Sequence, residues 1–108
     1  GVTLVTAHTL DDSSPEWQAL AKSGTTLVVY MGVSKLEQVQ AGLLEGGLSA
    51  GTPVAMIENA SLPQQRECRS SLAGMCRDAL AFKLKSPAIL VIGEVAAQAA
   101  FQAVSQSA

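Results

Sequence analysis

Apolar and polar positions alternate along this chain in two rhythms. The most continuous apolar run is Thr25-Thr26-Leu27-Val28-Val29-Tyr30-Met31-Gly32, β-branched or aromatic through its middle. Such a run reads as a strand covered on both faces, as in a parallel sheet. Val2-Thr3-Leu4-Val5-Thr6, Pro53-Val54-Ala55-Met56-Ile57 and Ala88-Ile89-Leu90-Val91-Ile92 are runs of the same kind. Helical spacing appears between them. Leu36, Val39, Leu43 and Leu44 fall on one stripe, at offsets of three, seven and eight. Ser34-Lys35-Leu36-Glu37 has the form of a capping box for that helix, and Gly46-Gly47 ends it. Leu72, Met75, Cys76, Ala79 and Leu80 mark the inner face of another helix, closing at Phe82. Pro15 suits the first turn of a helix that contains Trp17 and stops at Ser23-Gly24.

These patterns predict strands near residues 2–6, 25–30, 53–58, 64–70 and 88–93, and helices near 15–22, 34–46, 71–82 and 94–104. Gln64 to Ser70 carries Arg66, Glu67 and Arg69, a charge load that suits an edge strand. The expected fold is α/β: a mixed, mostly parallel five-stranded sheet flanked by helices, in one domain over residues 1–108. A buried strand that begins at residue 2 points to a chain continuing upstream.

Composition narrows the function. The chain has 108 residues, 48% hydrophobic and 15% charged, enough for a substantial core and unlike a disordered segment. Its formal charge is −2 with seven scattered Lys and Arg, which argues against a nucleic-acid surface. No apolar run approaches a membrane span, and no signal peptide is visible. With one histidine and no Cys-x-x-Cys pair, a metal site is not expected, and Cys68 and Cys76 read as free thiols of a cytoplasmic protein.

Candidate chemistry lies past the strand ends, where ligands sit in open α/β sheets. Ala7-His8, Met31-Gly32, Asn59-Ala60 and Gly93-Glu94 follow apolar strands, and small residues there let a ligand approach the main chain. The alternative at each is a plain connecting turn. His8 reads as a loop histidine bonded to backbone, and Cys68 as an incidental thiol without a base. Glu58 and Glu94 end strands, with nothing to show that they pair. Arg66 and Arg69 are read onto one strand face, either meeting an anionic group or lining a solvated edge. The glycines form no phosphate loop, and Trp17 reads as helix packing.

Val5-Thr6-Ala7-His8, Tyr30-Met31-Gly32, Pro53 through Ser61 followed by Gln65-Arg66, Ser86-Pro87-Ala88 and Ile92-Gly93-Glu94-Val95 stand in an order and spacing that resemble the carboxy-terminal half of the tetrapyrrole methylases. Within that family the resemblance is to the uroporphyrinogen-III C-methylating members, alone or as the methylase module of siroheme synthase. It implies a two-domain, homodimeric enzyme with S-adenosylmethionine in the cleft between the domains. Two ring carbons of uroporphyrinogen III receive methyl groups, giving precorrin-2 on the route to siroheme and cobalamin. The resemblance implies that main-chain groups at Met31 and Ala60, with the adjoining Gly32 and Asn59, hold the adenosine part, and that Pro87-Ala88 line the same pocket. The family's amino-terminal half, with its Gly-rich cofactor loop and proton-transfer residues, has no counterpart here, so no catalytic residue is named and the isolated chain is expected to be inactive. The alternatives are another methylase of this family, including a diphthamide-type or ribosomal-RNA methylase, and a stand-alone α/β binding or regulatory module.

Overall fold

A computed structural model describes residues 1–6, 16–60, 62–85 and 87–97. The strands are β1 (Val2–Thr6), β2 (Thr26–Met31), β3 (Pro53–Glu58), β4 (Arg66–Ser71) and β5 (Ala88–Ile92). The helices are α1 (Glu16–Ala21), α2 (Leu36–Glu45) and α3 (Met75–Phe82), with short 3₁₀ turns at Val33–Lys35 and Glu94–Ala97. All five expected strands form. The start of the first helix at Pro15, and the last helix beyond Ala97, lie outside the described residues.

The sheet order is β1-β2-β5-β3-β4. It is mixed, as expected, but among the described residues parallel pairing is confined to β1 with β2. β5 enters after α3 and slots between β2 and β3, antiparallel to both, while β4 turns straight back along β3. The expected parallel majority came from the unbroken apolar runs. Those runs report burial on both faces, and a central antiparallel strand is buried just as deeply.

One face of the sheet carries the main core. Leu27, Val29 and Met31 of β2, Leu90 and Ile92 of β5, and Val54 and Met56 of β3 meet Trp17, Leu36, Val39, Leu43, Met75 and Ala79 from the three helices. On the other face a smaller cluster, Ala55, Ile57 and Val91, is covered by Ala96 of the last 3₁₀ turn. That cover does not extend to β1 and the end of β2. Val2 and Leu4 are exposed, Tyr30 is 54% exposed and Val28 is half-buried, so among the described residues the full cover expected on both faces of β2 is found on the helix side.

Three local expectations are corrected. Ser34 makes no cap: it sits inside the 3₁₀ turn, and α2 begins at Leu36 without a side-chain cap. The backbone turns tightly there: Lys35 N–H donates to Gly32 O at 3.0 Å and Leu36 N–H donates to Val33 O. Leu44 is exposed, and its place on the stripe goes to Gly42, which lies against Trp17. Leu72 to Gly74 form a turn and α3 starts at Met75, with Lys83 in the left-handed region as its C-cap. Counted from Met75, Ala79 returns to the same side, whereas Leu80 lies about 140° around the helix and is 81% exposed.

Candidate functional site

Strand direction decides which ends share an edge. Ala88, the first residue of β5, stands opposite Met31, the last residue of β2, and opposite Glu58, the last residue of β3. Gly32, Asn59-Ala60 and Pro87 therefore follow or precede three neighbouring strands at one edge of the sheet. The six residues implied by the resemblance converge there. Gly93-Glu94 does not, because antiparallel β5 carries it to the opposite edge. Ala7 and His8 lie outside the described residues.

This edge is built from main chain and small side chains. Met31 points its side chain into the core and is buried, leaving only backbone at the rim. Gly32 and Pro87 are exposed. Asn59 adopts φ 54°, a left-handed conformation that asparagine tolerates better than most residues. It reverses the chain: Leu62 N–H donates to Asn59 O at 3.0 Å, and Gln65 N–H donates to Leu62 O at 3.0 Å. Ala60 is half-buried against the smaller cluster. On the helix side of the edge a cleft of about 490 Å³ opens between the turn after β2 and the turn before β5, lined by Val33, Leu36, Cys76, Leu80, Lys83 and Leu84. In the sequence, Leu36, Cys76 and Leu80 of this lining stand out only as helix-face positions.

One carboxylate lies beneath the edge. Glu58 is 2% exposed. Its Oε1 accepts from Arg66 Nη1 at 2.8 Å, and its Oε2 accepts from the backbone N–H of Lys85 at 2.8 Å. Arg66 also donates from Nη2 to Phe82 O at 2.7 Å and lies 4.0 Å over the Phe82 ring. The partner of Glu58 is thus its cross-strand neighbour Arg66 and not Glu94. Residues 66 and 69 are an odd number apart, so a strand sends them to opposite faces. Arg69 stands opposite Ala55 and pairs with Glu67 at 2.9 Å. The expected shared arginine face does not form.

Both cysteines are free and half-buried. Burial pushes the Cys68 thiol up, helped by Asp78 and opposed by Arg66; burial and then Glu37 push Cys76 up. Cys76 Sγ donates to Gln40 Oε1 at 3.3 Å. Neither thiol is activated as a nucleophile. Among the described residues no group of three His, Cys, Asp or Glu side chains stands together, and no helix is long and apolar enough to cross a membrane.

Residues 1–76 match the Tetrapyrrole (Corrin/Porphyrin) Methylases. The chain is 72% identical over its whole length to a uroporphyrinogen-III C-methyltransferase of Pseudomonas fluorescens, of which it covers 44%. It is 38% identical over 87% of its length to a siroheme synthase of Edwardsiella ictaluri, covering 20% of that protein. Among solved structures, uroporphyrin-III C-methyl transferase from Thermus thermophilus complexed with S-adenyl homocysteine superposes with a TM-score of 0.67 at 28% identity, over 88% of this chain and 42% of that one. The chain thus spans less than half the length of each of these relatives.

Proposed function

The chain belongs to the tetrapyrrole methylase family, and from that premise we propose that it is the cofactor-binding part of an S-adenosylmethionine-dependent uroporphyrinogen-III C-methyltransferase. The observation that carries the proposal is the 72% identity along the entire chain to a protein of that name. The lower identity to a siroheme synthase favours the stand-alone methylase over the fused one. The Thermus neighbour complexed with S-adenyl homocysteine supports the cofactor, since that molecule is what remains after a methyl group has left the donor.

The edge fits the proposed cofactor. Main chain at Met31-Gly32 and Asn59-Ala60 would hold the adenosine part, and Pro87-Ala88 would line the pocket beside it. An adenosine needs donors, acceptors and close approach more than charge, and this rim offers backbone, a glycine and an alanine. When bound, S-adenosylmethionine supplies an electrophilic methyl group. This chain's residues bind and orient; methyl transfer to an electron-rich pyrrole carbon depends above all on such positioning. The base for the displaced ring proton and most substrate contacts are assigned to the part of the longer protein not represented here. That protein is read as a cytoplasmic homodimer, and sedimentation as a monomer at micromolar concentration would count against the dimer.

The test is an assay of the full-length protein with S-adenosylmethionine and uroporphyrinogen III. Precorrin-2 is the expected product, and the isolated 108-residue chain should give none. Methylation of a different tetrapyrrole, with uroporphyrinogen III left unchanged, would move the assignment elsewhere in the family.

A further inference from the structure

We propose that Glu58 is a positioning residue for the cofactor edge, acting with Arg66 as a clamp on the connection between α3 and β5. The proposal rests on the reading that this edge holds S-adenosylmethionine. Glu58 is the last residue of β3, directly before Asn59-Ala60. Its carboxylate reaches across to the segment that delivers Pro87-Ala88: one oxygen takes the amide of Lys85, and the other takes Arg66. Arg66 in turn holds the carbonyl of Phe82, at the end of α3, and stacks on its ring. The connection is therefore gripped at both ends, at Phe82 and at Lys85, from a single carboxylate. The same carboxylate is continuous in the chain with the opposite wall of the proposed pocket.

Burying a carboxylate is costly even when it is paired, and an apolar pair of the same shape would stabilise the fold as well or better. Stability alone therefore gives a weak reason for an ion pair at this position. What the clamp adds is direction. Two charge-assisted bonds with fixed geometry set the spacing between the Asn59-Ala60 turn and the Pro87-Ala88 entry.

The test uses the full-length enzyme. Glu58→Gln keeps an acceptor for Lys85 but turns an amide N–H₂ toward the donors of Arg66. Arg66→Lys keeps the charge and loses the second hydrogen bond and the stacking. In Glu58→Gln the dissociation constant and KM for S-adenosylmethionine should rise about tenfold, the scale of one lost charge-assisted hydrogen bond. KM for uroporphyrinogen III, and kcat at saturating S-adenosylmethionine, should stay within about twofold. Arg66→Lys should shift the same constants in the same direction by a smaller factor, and it carries the test if Glu58→Gln does not fold. Folded variants that bind S-adenosylmethionine as wild type does, or that lose affinity for both substrates alike, would overturn the clamp while leaving the cofactor edge standing. A wild-type enzyme that does not bind S-adenosylmethionine would remove the edge reading itself, and the clamp with it.

Discussion

Gly42 sits in the interior of α2, where glycine ordinarily costs about 1 kcal/mol relative to alanine. By helix propensity alone, Gly42→Ala should stabilise the protein. The structure reverses the sign. A Cβ at Gly42 would lie 2.3 Å from Cδ2, 2.6 Å from Cε2 and 2.7 Å from Cγ of Trp17. Carbon atoms pack at roughly 3.5–4.0 Å, so the ring must retreat by about 1 Å or more. It has little room to do so: Trp17 is buried in the main core, and Gly46, the C-cap of α2, is itself packed against the carbonyl of Trp17. Overpacking of this kind costs about 1–3 kcal/mol, and a clash with a rigid ring belongs near the upper end. Setting about 3 kcal/mol of strain against about 1 kcal/mol of propensity leaves a net destabilisation of about 2 kcal/mol. Urea unfolding of the 108-residue chain, followed by far-ultraviolet circular dichroism, measures this directly. With a slope of about 2 kcal/mol per molar, the midpoint should fall by about 1 M. Trp17→Leu in the Gly42→Ala background should recover part of the loss relative to the two single changes added together. A midpoint that rises in Gly42→Ala would show that α1 does not pack on α2 through this contact, and would refute the reasoning.

Met31→Leu should cost less than about 1.5 kcal/mol and leave S-adenosylmethionine affinity of the full-length protein unchanged, because the side chain is a core filler of similar volume and the contacts proposed at the rim are to backbone; calorimetric titration checks the second half. Cys68 and Cys76 should alkylate with iodoacetamide more slowly at pH 8 than a free thiol, since burial holds both in the neutral form. Because the folded state favours those neutral thiols, stability should be fully present below the ordinary thiol range and decline as pH rises through it, which urea midpoints taken across that range would reveal.

The strands were legible because a β-branched apolar run bounded by glycine or proline has few other readings. The edge status of β4 followed from its charges. Strand direction was not legible. Apolar runs are alike for parallel and antiparallel central strands, and direction is fixed by where α3 lets β5 enter, a tertiary fact. That one unknown misplaced Gly93-Glu94 at the candidate edge. The residues taken from the family resemblance, Met31, Gly32, Asn59, Ala60, Pro87 and Ala88, instead fall together in the register of β2, β5 and β3. The capping box failed for a local reason: Ser34 lies inside a 3₁₀ turn, one residue before the position that caps α2. The clamp under the edge was half visible. Glu58 and Arg66 both stand out in the sequence, but their pairing depends on the β3–β4 register, which places them directly across from each other.

The proposed cofactor site lies at the edge formed by Met31 and Ala60, and its most direct test is calorimetric titration of full-length Ala60→Val with S-adenosylmethionine. Ala60 is half-buried just past β3, so a branched side chain there both restricts the turn and intrudes on the proposed pocket. Affinity should fall by about tenfold or more, equivalent to about 1.4 kcal/mol, while a thermal melt of the same protein shows a smaller change in stability. Wild-type affinity in Ala60→Val would contradict the account, taking this turn out of the cofactor site.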